Sequence, residues 1–154
     1  LIANLLMNYF SQNGHETKPG DRKYFKKWIL NLIIEIWNKF ENKFSNLWDE
    51  YPQGDAYPFK MFDNKNIIKN EQINYLQNIY NDSLGFAGAK IIRRIFGFAH
   101  NIDFDWIKDP KVRAICEHKC SNLGIEMQTN FHKFKNISNL IETAIKLDSE
   151  NVNF

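Results

Sequence analysis

Apolar residues recur at three- and four-residue spacing along most of the chain, with polar residues between them. From Phe25 the series Trp28, Ile29, Leu32, Ile33, Ile36, Trp37, Phe40, Phe44, Leu47 and Trp48 sustains that rhythm, which predicts a long amphipathic helix. Asp21 can cap its start, and a helix with so wide an apolar face, running from Asp21 to Trp48, belongs at the centre of a core. Upstream, residues 1 to 13 read as a short helix stopped by Gly14 as a C′ glycine, and NGHETKPGD reads as a loop. Downstream, YPQGDAYPFKMFDNKN predicts a loop of about 15 to 20 residues, a length often tied to function. Helices are expected over residues 70 to 82 and again over 82 to 100. Asp109 and Pro110 supply a cap and a first-turn proline for a helix to about Met127, and Ile137, Leu140, Ile141, Ala144, Ile145 and Leu147 mark a last one. No stretch has the pattern of a strand, so the fold class is all-α.

Composition narrows the partners. The chain has 154 residues, the size of one domain, and a net charge of +2 with its basic residues spread rather than blocked. That argues against nucleic acid and membrane surface and for a small-molecule partner. No apolar run approaches the roughly 20 residues of a membrane span, and LIANLLM lacks the basic start and cleavage site of a leader. Cys116 and Cys120 lie one helical turn apart with no second Cys/His pair to complete a metal site, so they read as free thiols. Reduced thiols fit a cytoplasmic protein. The chain opens at Leu1 in what reads as the middle of a buried helix, which leads us to expect a piece of a longer protein.

Candidate chemistry gathers at DSLGFAGAKIIRRIFGFAH, residues 82 to 100. The chain has four arginines, Arg22, Arg93, Arg94 and Arg113, and two of them are adjacent here. On a helix, Leu84, Ala87, Gly88, Ile91, Ile95 and Ala99 form the apolar stripe, while Lys90, Arg93, Arg94 and Gly97 follow one another along a different face. Like charges at that spacing disfavour the helix unless carboxylates or an anionic ligand offset them. Arginine outdoes lysine where a planar fork grips phosphate or carboxylate oxygens. Gly97, in a helix interior, would leave backbone open to a closely approaching group. The same residues also fit a solvated face or partners of nearby carboxylates. Gly85 and Gly88 read as small residues that admit a neighbouring helix, and GFAGAK lacks both the spacing and the preceding strand of a phosphate-binding loop. His100 reads as a cap or a packed residue.

The run DSLGFAGAKIIRRIFGFAHNIDFDWI, followed by DPKVRAICEH, resembles the C-terminal helical region of the S-methyl-5-thioribose kinase family, which carries a similar G-F-A-G-x-K-x-I-R-R-I segment with an Ala-His and an acidic stretch after it. The opening LIANLLMNYFSQNGHE and the aromatic helix around WNKFENKF resemble the same family, so the likeness covers most of residues 1 to 135. It implies a protein-kinase-like fold, of which residues 1 to 154 form the helical part of the C-terminal lobe. The implied activity is transfer of a phosphoryl group from ATP, with Mg2+, to methylthioribose in methionine salvage. The family's twin arginines fall on Arg93 and Arg94, to which the resemblance gives a catalytic and substrate-binding role, with Gly97 beside them for substrate. The family's H-G-D base and D-x-E metal motifs are absent from this chain, and the resemblance places them upstream of Leu1. It also suggests a homodimer. Two rival readings are a kinase of the same fold acting on another small molecule and a non-catalytic helical module that binds an anion or a partner helix.

Overall fold

The computed structural model describes residues 1–51 and 64–152. Its elements are α1 (Ile2–Ser11), a 3-10 turn over Gln12–His15, α2 (Lys23–Glu50), α3 (Lys65–Phe96), α4 (Ile102–Asp105), α5 (Pro110–Thr129), a second 3-10 turn over Phe131–Lys133, and α6 (Ile137–Ser149). No strand occurs among the described residues, in line with the all-α expectation. None of their helices is long and apolar enough to cross a membrane. Most of the predicted loop lies in residues 52–63, outside the described residues.

Helix α1 is the hub. It buries Ala3, Leu6, Met7, Tyr9 and Phe10 and touches α2, α3, α4 and α5. The most extensive pairing is α3 on α5, and it closes to backbone distance at two glycines. A Cβ on Gly88 would stand 2.8 Å from the Gly124 carbonyl oxygen, and one on Gly124 would stand 3.0 Å from Ile91. Gly88 thus has the packing role its spacing predicts. Gly85 does not, since a Cβ there would meet nothing within 4 Å. Its carbonyl instead accepts a hydrogen bond from the Gln128 side chain of α5.

The two helices predicted over 70–82 and 82–100 are one, α3, which starts five residues earlier than expected because the Asn64 side chain caps it by accepting from Asn66 N–H. Neither Asp82 nor Ser83 interrupts it, because Tyr80, Leu84, Ala87 and Ile91 stay in phase on one buried face. Helix α5 follows the sequence reading closely, with Asp109 accepting from the Lys111 and Val112 N–H groups and Pro110 in the first turn.

Two caps differ from expectation. Asp21 does not cap α2; its carboxylate accepts from Thr17 N–H, Thr17 Oγ1 and Lys18 N–H in the preceding turn, where Gly20 adopts φ +79°. Gly14 is no left-handed terminator but lies within the first 3-10 turn, where a Cβ would sit 2.3 Å from Ile107. Close packing, not conformation, accounts for it.

Helix α2 is central only in its first half. Its buried residues are Ile29, Leu30 and Ile33, while Trp28, Phe40 and Leu47 are exposed. At 28 residues it extends roughly 42 Å by the helical rise, beyond what α1 and α6 can cover. Its second half pairs by aromatic rings with the first half of α3: Trp37 with Tyr80 at 4.9 Å, Phe44 with Tyr75 at 5.8 Å and Trp48 with Tyr75 at 5.5 Å between centroids.

One polar network ties the packed end together. Lys26 of α2 pairs with Asp148 of α6, which also accepts from Tyr9 Oη and Asn13 Nδ2, while Lys119 of α5 donates to the Asp148 carbonyl. Every charge there is met by an opposite charge or a hydrogen bond, as partial burial requires. Cys116 and Cys120 are buried free thiols beside this network, as expected, and burial pushes the Cys116 thiol up to about 11.

Candidate functional site

The last turns of α3 and the chain reversal into α4 enclose a cleft of about 430 Å³ against the start of α1. Lys90 and Arg94, four residues apart on one face of α3, line it together with Asn4, His100, Asn101 and Asp103. The reversal is built locally. Asn101 Oδ1 accepts from Asp103 N–H and so caps α4, while Asn101 Nδ2 reaches Met7 Sδ of α1 at 3.1 Å. Asp103 is held in turn, its carboxylate accepting from Asn8 Nδ2 at 3.2 Å and its carbonyl lying 2.8 Å from His15 Nε2.

Arg94 is half-buried and oriented by backbone. Its Nη1 donates to the His100 carbonyl at 3.0 Å and lies 3.5 Å from that of Ala99. Arg94 has no carboxylate within ion-pair distance among the described residues, and neither has Arg93. Arg113 offers the opposite case. Asp105 and Glu117 each stand 2.8 Å from its guanidinium, and the Glu117 hydrogen bond, followed by both charges, raises its pKa. The fold sets carboxylates beside an arginine that holds structure together and sets none, among the described residues, beside the pair in α3. Of the two offsets the sequence left open, carboxylate partners are therefore not found there.

The twin arginines do not share one cleft. Arg93 is exposed and does not line the cleft that Lys90 and Arg94 share, because adjacent residues on a helix point about 100° apart. Gly97 also differs from its expected setting. It is not in a helix interior but caps the end of α3, its N–H donating to the Arg93 carbonyl, and a Cβ would stand 2.5 Å from that oxygen. That close approach accounts for the glycine locally. His100 lends Arg94 its carbonyl and lines the cleft.

Sequence reasoning did not single out Asn4, Asn101 or Asp103. The signal was present only in part: Asn101, followed two residues later by Asp103, has the pattern of a helix cap, but nothing in the spacing brings α1 beside it. Chemically the cleft joins two cations that can hold an anion to a carboxylate and two amides that can take hydroxyl groups. Apolar side chains stand exposed around this end of the chain, among them Leu1, Phe86, Phe96, Phe98, Ile102 and Trp106.

Among the described residues no group of three His, Cys, Asp or Glu side chains could hold a metal ion. No protein-family model matches the chain. It is 39% identical over 151 residues to methylthioribose kinases 1 and 2 of Oryza sativa subsp. japonica, an alignment that takes in 97% of this chain and 35% of each relative. It is 33% identical over 144 residues to the methylthioribose kinase of Escherichia coli O45:K1, covering 93% of this chain and 34% of that protein. Across nearly its whole length the chain is similar to methylthioribose kinases, and it spans about a third of their length.

Proposed function

We propose that residues 1 to 154 supply the substrate-side helices, in the C-terminal lobe, of a kinase that phosphorylates S-methyl-5-thioribose at its anomeric hydroxyl. The observation that carries this reading is the cleft in which Lys90 and Arg94 converge without carboxylate partners among the described residues. Phosphoryl transfer depends mainly on positioning and on neutralising charge spread over equatorial oxygens, and a guanidinium fixed by backbone carbonyls on a helix can do both. Arg94 and Lys90 hold phosphate oxygens, while Asp103 and Asn101 take sugar hydroxyls. Arg93 and Gly97 border this group, and Arg93 acts from its outer edge.

The relatives' activity as kinases implies ATP and a divalent metal. The described residues provide no metal cluster. In this proposal both are held mainly by residues outside 1 to 154.

A chimera tests the reading. In it, this chain replaces the matching third of the rice methylthioribose kinase 1. The chimera is expected to phosphorylate methylthioribose, and residues 1 to 154 by themselves are expected not to. A chimera that melts like the parent kinase yet lacks turnover would overturn the assignment.

A further inference from the structure

We infer that a second cleft, between the second half of α2, the first half of α3 and the start of α6, is a binding site for a small organic anion bearing a phosphate or carboxylate. This inference does not rest on the kinase reading. The cleft is about 330 Å³ in volume and lies on the aromatic seam, far along α3 from Lys90 and Arg94.

Four observations meet there. Tyr80 lines the cleft and is only 2% exposed, yet its hydroxyl has no hydrogen-bond partner among the described residues. An orphaned buried hydroxyl costs about 1 to 3 kcal/mol, and it is a donor waiting for an acceptor, since burial raises its pKa. The first turn of α6 also faces the cleft, through Ile137 and Ser138. The Asn136 side chain caps Asn139 N–H, so the N–H groups of Ile137 and Ser138, which no helical carbonyl can reach, remain for a ligand at the positive end of the helix dipole. Lys69 and Lys135 bring two cations to the same cleft, against the carboxylate of Glu41 in its lining.

The floor is fixed rather than fluid. Gln72, 1% exposed, donates from Nε2 to the Ser45 carbonyl at 3.1 Å and to Asp49 Oδ1 at 3.4 Å, and accepts from Lys69. Trp37, packed on the Tyr80 ring, offers an apolar wall for the body of the ligand. The Tyr80 hydroxyl, the first N–H groups of α6 and the two lysines together select an anion; the aromatic wall selects an organic one.

The experiment is an amide NMR titration of the chain with sodium phosphate at pH 8, with sodium chloride at matched ionic strength as the reference and sodium acetate as a second arm. The expected result is saturable shifts confined to Ile137, Ser138 and the Gln72 side-chain amide. Response to phosphate alone assigns a phosphate ester, and response to acetate as well assigns a carboxylate. Tyr80→Phe should weaken the phosphate response at least threefold while the melting temperature holds or rises, because the variant removes an unsatisfied group. Lys135→Ala, an exposed position, should weaken it without touching the fold, and Arg94→Lys should leave it unchanged. Absence of shifts in both arms, or an undiminished response in Tyr80→Phe, would overturn the inference.

Discussion

The two halves of α3 use opposite means of packing. The second half meets α5 at backbone distance, Gly88 against Gly124, and buries Leu84, Ala87 and Ile91. The first half meets α2 through rings, Tyr75 and Tyr80 against Phe44, Trp48 and Trp37, and leaves Ile67 and Ile73 exposed. Glycine contact fixes two helices with little room to shift, at the end that brings Lys90 and Arg94 to one cleft. It is beside this ring seam that Tyr80 and Gln72 border an open cleft. One helix thus carries a glycine-packed platform at one end and a ring-packed wall at the other.

The largest effect expected from this contrast is on stability. Leu84→Ala should cost about 2 to 5 kcal/mol, the range for a buried leucine in a tight core. Ile73→Ala on the exposed side of the other half should cost less than about 1 kcal/mol. Trp37→Ala should fall between them, at about 1 to 3 kcal/mol, because the indole is only partly buried and packs on Tyr80. Denaturant melts check all three, and equal losses at Leu84 and Ile73 would abolish the distinction.

The next effect is alkaline. Cys116 lies in the packed half, and its thiol, raised from 9.0 to about 11 by burial, holds its proton more tightly folded than unfolded. Its stabilisation is therefore fully present below about pH 9 and is lost as pH rises through about 11. The shift corresponds to about 2 to 3 kcal/mol. Buried Cys120 and Tyr9 are raised in the same sense. Melting temperature should fall steadily from pH 8 to 11, and Cys116→Ala should make that fall shallower. Unchanged slopes in the variant would place the titrating group elsewhere.

The glycines sharpen the comparison further. Gly88→Ala should destabilise by about 1 to 2 kcal/mol, since the overpacking at the Gly124 carbonyl exceeds the gain in helix propensity. Gly85→Ala, with open space around it, should stabilise by about 0.4 to 1 kcal/mol. Thermal melts of the two variants must move in opposite directions if the packing contrast is real.

What the sequence made legible was the local chemistry. The Asp109–Pro110 start of α5, the apolar stripe of α3 and the buried thiols all follow from spacing and cap residues that act within one or two turns. What it hid depends on contacts distant in the chain. Gly14 answers to Ile107, and Asp103 is placed by Asn8 and His15; no periodicity carries that information. A break at residue 82 is suggested because Asp82 and Ser83 are good caps in isolation, while the buried face running through Tyr80 and Leu84 keeps the helix going. Gly97 is deceptive for the same reason, since the end of α3 is set by the Arg93 carbonyl rather than by the apolar run, and Phe98 beyond it is fully exposed. The arginine pair was legible as a cluster of cations but not as two side chains in different settings, Arg94 lining the cleft and Arg93 outside it.

That difference gives the most direct measurement of the central claim. Arg94→Lys and Arg93→Lys, made in the chimeric kinase, keep the charge and lose the planar fork. Both should leave the melting temperature within the shift of about 1 kcal/mol or less that partly exposed positions allow. Arg94→Lys is predicted to lower kcat at least about 10-fold, equivalent to about 1.4 kcal/mol of transition-state stabilisation, and Arg93→Lys to lower it less. Parent turnover in Arg94→Lys, or a loss of activity that tracks a loss of stability, would contradict the assignment of the α3 cleft as the phosphate-holding wall of the site.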